Sequence, residues 1–186
     1  MFRPIICYNY FMDITFSNKN TIKLNGKSSS IVINPQSEVK ADLLLFTSPE
    51  SPQYETRSFN SPGEYEVLGS MVDGVEMTPE NTAYSMVVDD IHVAYLTDID
   101  AQLTDDQLEH MDSVDIMIVS VKDDKSELVN KLVGQIEPRI LIPIMESEAE
   151  LAKIKAEYGK DVEAVDSFKI AKKDLPADSQ QLVILK

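Results

Sequence analysis

Cysteine and histidine are nearly absent from this sequence. One cysteine, Cys7, and two histidines, His92 and His110, stand among 186 residues. A lone cysteine excludes a disulfide framework and a thiolate metal site, and its simplest setting is a reducing compartment, here the cytoplasm. Zinc sites draw on His, Cys and carboxylate ligands, often two or three histidines together, and two distant histidines do not supply that set. A Ser-His-Asp nucleophile system needs a placed histidine. His92 falls inside a strand pattern, and His110 falls near a helix C-terminus, where it complements the dipole. Glycine is scarce too, with six in the chain, and neither phosphate-cradling glycine pattern occurs. No apolar run reaches the roughly 18 residues that a membrane span needs. Basic residues are the minority sign, 17 against 32 acidic, for a net charge of -15. That charge opposes phosphate backbones and anionic membrane surfaces, so neither nucleic acid nor membrane is expected as a partner.

What is present is enough apolar residue, 43%, to bury one sizeable core. Residues 12–186 read as a single domain. Residues 1–11 read as an N-terminal tail, either a leader from an early start codon or a short packing segment; they lack a secretory cleavage pattern. Three β-like runs, DITF, TIKL and SIVI, open the domain, and Asn25-Gly26 signals a hairpin between the last two. ADLLLF (41–46) suits a strand buried on both faces. A Ser- and Pro-rich loop is expected from Thr47 to Pro62. Residues 64–77 read as two strands broken at Gly69, and 83–96 as a hairpin turning at Asp89-Asp90. Helix and strand then alternate. Thr104 with Gln107 predicts a short capped helix over 104–110. VDIMIVSV (114–121) and RILIPI (139–144) are buried strands. Asp124 with Glu127 predicts the start of a helix with a Leu128, Val129, Leu132, Val133, Ile136 stripe, ended by Pro138. Ser147 with Glu150 caps a third helix stopped by Gly159. FKIA (168–171) and QLVILK (181–186) close the chain.

The order of these segments resembles the metallo-β-lactamase superfamily, and within it the small single-domain branch of uncharacterised metal-dependent hydrolases. MDITFSNKNTIKLNG is similar to the family's opening hairpin. SIVINP resembles its strand ending in Asp-Pro, with Asn34 in the Asp position. SPGEYEVLGSMVDGV (61–75) resembles a G-P-G-E-Y-E segment, and VAYLTDID a strand ending in Gly-Asp. The resemblance spans about residues 12–186 and implies an α+β, four-layer αββα sandwich of two mixed β-sheets flanked by helices. Family members carry a metal-binding H-x-H-x-D-H loop after the strand like ADLLLF. Here Ser48, Glu50 and Gln53 stand where those histidines would be, and Pro52 stands for the aspartate. Another histidine is expected near Pro79, and Met145 occupies the position of the last one. Asp98 alone, in the bridging-aspartate position, keeps its ligand type.

A metallohydrolase needs several ligands to hold an ion that lowers the pKa of its bound water, and serine, proline and methionine do not serve. The expectation is therefore a non-catalytic binding or assembly protein without a cofactor, acting on a protein or small-molecule partner. An alternative is a hydrolase with a rebuilt site, in which Glu50 and Asp98, with Glu146 or Gln53, hold one hard cation, Mg²⁺ or Mn²⁺. A third is a structural subunit of a homo-oligomer. For Asp98 a purely structural role is also open, as a strand-end acceptor for backbone amides. Asp98 and Asp100 begin like a calcium loop, but Leu103 stands where that loop needs glycine.

Overall fold

The computed structural model describes residues 11–17 and 21–186. The expected tail lies outside them, apart from Phe11, which is exposed.

Alternating apolar residues make the first strands. β1 (Met12–Ser17), β2 (Thr21–Asn25) and β3 (Ser30–Ile33) pair antiparallel in turn. The Asn25-Gly26 signal marks the β2–β3 connection, and Gly26 is needed there for space. A Cβ on it would lie 2.7 Å from Val88 Cγ1 and 3.0 Å from Asp89 Oδ2 of the opposite sheet. β4 (Leu43–Leu45) is wholly buried and runs parallel to β3, as its unbroken apolar run predicts. Inside the segment expected to be loop, β5 (Ser58–Phe59) pairs parallel with β4. Two residues are too few for a periodicity to show.

An antiparallel meander follows: β6 (Gly63–Val67), β7 (Ser70–Thr78), β8 (Asn81–Val88) and β9 (Ile91–Ile99). Its hairpins turn at Leu68-Gly69 and at Asp89-Asp90, with φ of 50° and 81°, and 50° and 65°. Two left-handed residues in a row match the twist of the flanking strands. The Thr104–Gln107 capping box opens α1 (Asp105–Glu109), and β10 (Ile116–Val121) lies parallel to β9.

The next helix departs from expectation. Residues 122–124 form a 3₁₀ turn in which Asp123 and Asp124 have φ of 56° and 55°. α2 (Ser126–Ile136) begins beyond it without a side-chain cap. Asp124 instead accepts the Ser147 amide at 2.5 Å, a tertiary partner 23 residues away. Left-handed Glu137 (φ 52°) and then Pro138 end α2. β11 (Ile140–Pro143) is parallel to β10, and Ser147 caps α3 (Glu148–Tyr158) by accepting the Glu150 amide. β12 (Ala164–Val165) and β13 (Ser167–Ile170) come next. QLVILK, read as one strand, divides at Val183 into β14 (Gln181–Leu182) and β15 (Ile184–Leu185). β14 extends the sheet beside β11, and β15 pairs with β12.

The strands form a six-stranded sheet, β13-β1-β2-β3-β4-β5, facing a seven-stranded one, β14-β11-β10-β9-β8-β7-β6. Between them lie Ile14, Leu24, Ile33 and Leu45 from the first sheet and Tyr84, Met86, Tyr95 and Ile118 from the second. The helices cover the second sheet's outer face over Ala83, Leu96, Met117 and Val119. The two mixed sheets are as expected; of the helical layers implied for both outer faces, the one on the second sheet is present, because all three α-helices pack there. The first sheet's outer face, at Val32, Leu44 and Phe46, is covered by Val39, Ala41 and Tyr54 of the irregular chain on either side of β4. Among the described residues no helix is long and apolar enough to cross a membrane.

Candidate functional site

β3 and β4 run parallel in one sheet, and β9, β10 and β11 in the other. Their C-terminal ends meet at one end of the sandwich, the place where sheets of this kind hold ligands. Asp98 stands at the centre. The β9–β10 register slips there, Leu96 pairing with Val119 but Ile99 with Val121, so β9 carries one residue more than its partner. This bulge re-aims Asp98 out of the ladder. Its φ is 54°, a conformation costly for a residue with a Cβ. The Asp98 amide donates to Ser120 Oγ at 3.0 Å. The side chain is exposed, and its carboxylate accepts no hydrogen bond among the described residues. The amide acceptor role open to Asp98 on sequence grounds is therefore reversed: its backbone donates and its side chain projects outward.

Beneath Asp98 lies a buried polar layer joining the two sheets. Asn34, with φ of 50°, accepts the Thr47 amide at 3.0 Å and donates to Thr47 Oγ1 at 3.2 Å. Its own carbonyl accepts the Thr21 hydroxyl at 2.7 Å. The Tyr95 phenol, buried against Asn34 and Thr97, is pushed up by desolvation, which outweighs the contacts with their side chains. Asn81 Nδ2 donates to the Thr97 carbonyl at 2.7 Å, and the Thr82 amide to the Thr47 carbonyl at 2.8 Å. These hydrogen bonds tie the two sheets together at this end, while the buried Thr97 hydroxyl in the same layer has no hydrogen-bond partner among the described residues.

Asp98 borders two open depressions above that layer. One, of about 330 Å³, is lined by Asn34, Ser48, Glu50 and Pro52. The other, of about 360 Å³, is lined by Ser120, Lys122, Asp124 and Glu146. The structure thus brings Ser48, Glu50, Pro52 and Asp98 to one place, and Asp98 and Glu146 to the next. It does not bring Gln53, Pro79 or Met145 to either. Gln53 is exposed, as is Pro79 at the β7–β8 turn. Met145 turns away into a narrow apolar cleft with Phe16, Ile22, Leu151 and Leu185. Ser48 Oγ accepts the Glu50 amide at 3.2 Å, a local turn contact. Among the described residues no group of three or more His, Cys, Asp or Glu side chains is placed to hold a metal ion.

A second concavity escaped the sequence reading. The two histidines, distant in the chain, border one groove of about 570 Å³ on the outer face of the second sheet. His110 sits at the C-terminus of α1, where it donates through Nδ1 to Asp73 Oδ2 at 2.6 Å. His92 lies on β9 opposite Val87. Only the docking of α1 against β7 brings them together, and no spacing in the sequence carries that signal.

A family profile described as "Beta-lactamase superfamily domain" matches residues 13–145. Among solved structures, a protein provisionally described as a Zn-dependent hydrolase of the metallo-beta-lactamase superfamily from Thermotoga maritima superposes with a TM-score of 0.79 at 19% identity. The match covers 94% of this chain and 98% of that one. The metallo-beta-lactamase fold protein YhfI from Bacillus subtilis superposes with a TM-score of 0.61 at 10% identity, over 87% of this chain and 100% of that one. Igni18, a metallo hydrolase from Ignicoccus hospitalis, gives 0.61 at 10% identity, over 86% and 98%. At these identities the likeness is one of fold. No curated protein matches the sequence.

Proposed function

The chain belongs to the metallo-β-lactamase superfamily, and we propose that within it this protein is a non-catalytic member, a binding or assembly protein built on the hydrolase scaffold. The donor set around Asp98 carries this reading. Ser48 and Glu50 share its depression with Pro52, which offers no side-chain donor, while Met145 faces an apolar cleft instead. A catalytic zinc centre takes at least three protein ligands and brings its bound water to a pKa near neutrality. The residues at Asp98 do not fit that requirement. The partner is a protein or a small molecule met in the cytoplasm, and self-association into a homo-oligomer is compatible with the reading. Elemental analysis of purified protein tests it. The expected result is substoichiometric zinc, iron and manganese, unchanged in Asp98→Asn. Stoichiometric metal that Asp98→Asn removes would overturn it.

A second reading is favoured by one observation, the outward Asp98 carboxylate that no described residue pairs with. Glu50 and Glu146 border the two depressions beside it. With movement of either, three carboxylates would bind one Mg²⁺ or Mn²⁺. A panel of phosphodiester, lactone and ester substrates with added Mn²⁺ or Mg²⁺ separates the two. Activity abolished by Glu50→Gln with Asp98→Asn favours the rebuilt site; activity untouched by that pair removes it.

A further inference from the structure

The seven-stranded sheet ends at β6, beside which no further strand lies among the described residues. The β6–β7 turn has two residues, so Val67 and Ser70 form its closing hydrogen-bonded pair. Bonded and non-bonded pairs then alternate. Tyr65 with Val72 and Gly63 with Gly74 are bonded; Glu66 with Met71 and Glu64 with Asp73 are not. The N–H and C=O groups of Glu64 and Glu66 therefore point away from β7, to the open edge. The same two side chains share the sheet's outer face with Asp73 and Ser85, and with Met71, Val87 and His92. That face is the groove bordered by the histidines. Its walls carry five carboxylates, Glu64, Glu66, Asp73, Glu109 and Asp112, and no Lys or Arg. Its floor includes Met71, which is 58% exposed.

We propose that the β6 edge docks an extended segment of a partner protein that adds a strand to this sheet, bearing lysine or arginine at alternate positions toward Glu64 and Glu66. Backbone pairing supplies the affinity and alternate side chains the selectivity. Charge decides the occupant. A second copy of this chain would set Glu64 and Glu66 near their own equivalents, with -15 on each molecule, and like charges across a strand pair are destabilising. A cationic strand meets the opposite sign and excludes wrong partners by the same means. The inference does not rest on the metal status of the Asp98 site, so its failure leaves that reading intact.

The probe is a fluorescein-labelled hexapeptide of alternating lysine and valine, titrated at about 0.15 M salt, where the Debye length of about 8 Å suppresses distant charge. Saturable binding is expected, with slowed hydrogen exchange at the Glu64 and Glu66 amides. Glu64→Gln with Glu66→Gln is expected to weaken binding about tenfold, the size of two modest charge pairs. Asp161→Asn with Glu163→Gln, an equal charge change at exposed positions elsewhere, is expected to leave it unchanged. Equal weakening by both pairs would show only diffuse attraction and overturn the proposal. So would unchanged exchange at Glu64 and Glu66, undiminished binding of a peptide N-methylated at alternate amides, or dimerisation of the free protein through this edge in sedimentation.

Discussion

Lys172 Nζ donates to Asp115 Oδ2 at 2.7 Å, and the same carboxylate oxygen accepts the amide of His92 at 2.9 Å. Asp115 is 3% exposed. Its amide donates to the His92 carbonyl, its carbonyl accepts the amides of Arg139 and Ile140, and Arg139 Nε lies 3.7 Å from Oδ1. One residue therefore ties the starts of β9 and β11 to the 172–174 turn, at the end of the sheet opposite Asp98.

Asp115→Asn keeps the shape and removes the charge, and roughly 2 kcal/mol of stability should go with it, because Lys172 is only half buried and rehydrates readily. Lys172→Met leaves a buried carboxylate with a single distant cation and should cost at least as much. Urea unfolding of the two single variants and the double variant checks this. Additive losses would show that the pair is not coupled.

Tyr84 on β8 crosses the core to donate to the Phe46 carbonyl at the end of β4, at 2.7 Å. Tyr84→Phe retains the packing and strands that carbonyl. A loss of about 1–2 kcal/mol is expected, read as a lower urea midpoint with an unchanged slope.

The Glu150 carboxyl is held at about 2 by Lys153, by the Ser126 hydroxyl and by the Ser126 amide. Its folded value lies below its ordinary value of 4.5, so the linked stability is present at neutral pH and is lost as pH falls from about 4.5 toward 2. Unfolding midpoints measured from pH 6 down to pH 2.5 should fall more steeply for the native chain than for Glu150→Gln. Parallel curves would refute the linkage.

Asp98 is strained where it stands. Asp98→Gly should raise stability by about 0.5–1 kcal/mol, since glycine adopts the left-handed conformation freely. Asp98→Val should lower it, because a β-branched residue resists that conformation. Thermal melts of both decide the matter. A destabilised glycine variant would mean that the carboxylate makes a stabilising contact after all.

The hairpins at Leu68-Gly69 and Asp89-Asp90, the Thr104–Gln107 capping box, the Ser147 cap and the apolar runs of β4, β10 and β11 were legible in the sequence because each is a local rule. β5 was not, since two residues show no period. The start of α2 was misplaced because Asp124 follows a partner on another element, Ser147, instead of capping its own helix. At the candidate site, that Ser48, Pro52 and Met145 are not usual zinc ligands was readable from residue identity. That Met145 and Gln53 leave the Asp98 depression, while Glu50 and Glu146 border it, was not.

Residue identity and short-range pattern alone determined the run of strands and helices, the apolar segments of the core and the scarcity of histidine and cysteine, because side-chain chemistry and periods of two or 3.6 residues are written locally; the family came from the likeness of whole segments. Tertiary structure alone decided what shares a surface. The bulge that turns Asp98 outward depends on the register of β9 against β10. The groove that joins His92, Asp73 and His110 depends on where α1 docks. Both are set by packing between segments far apart in the chain, where no sequence interval records the distance.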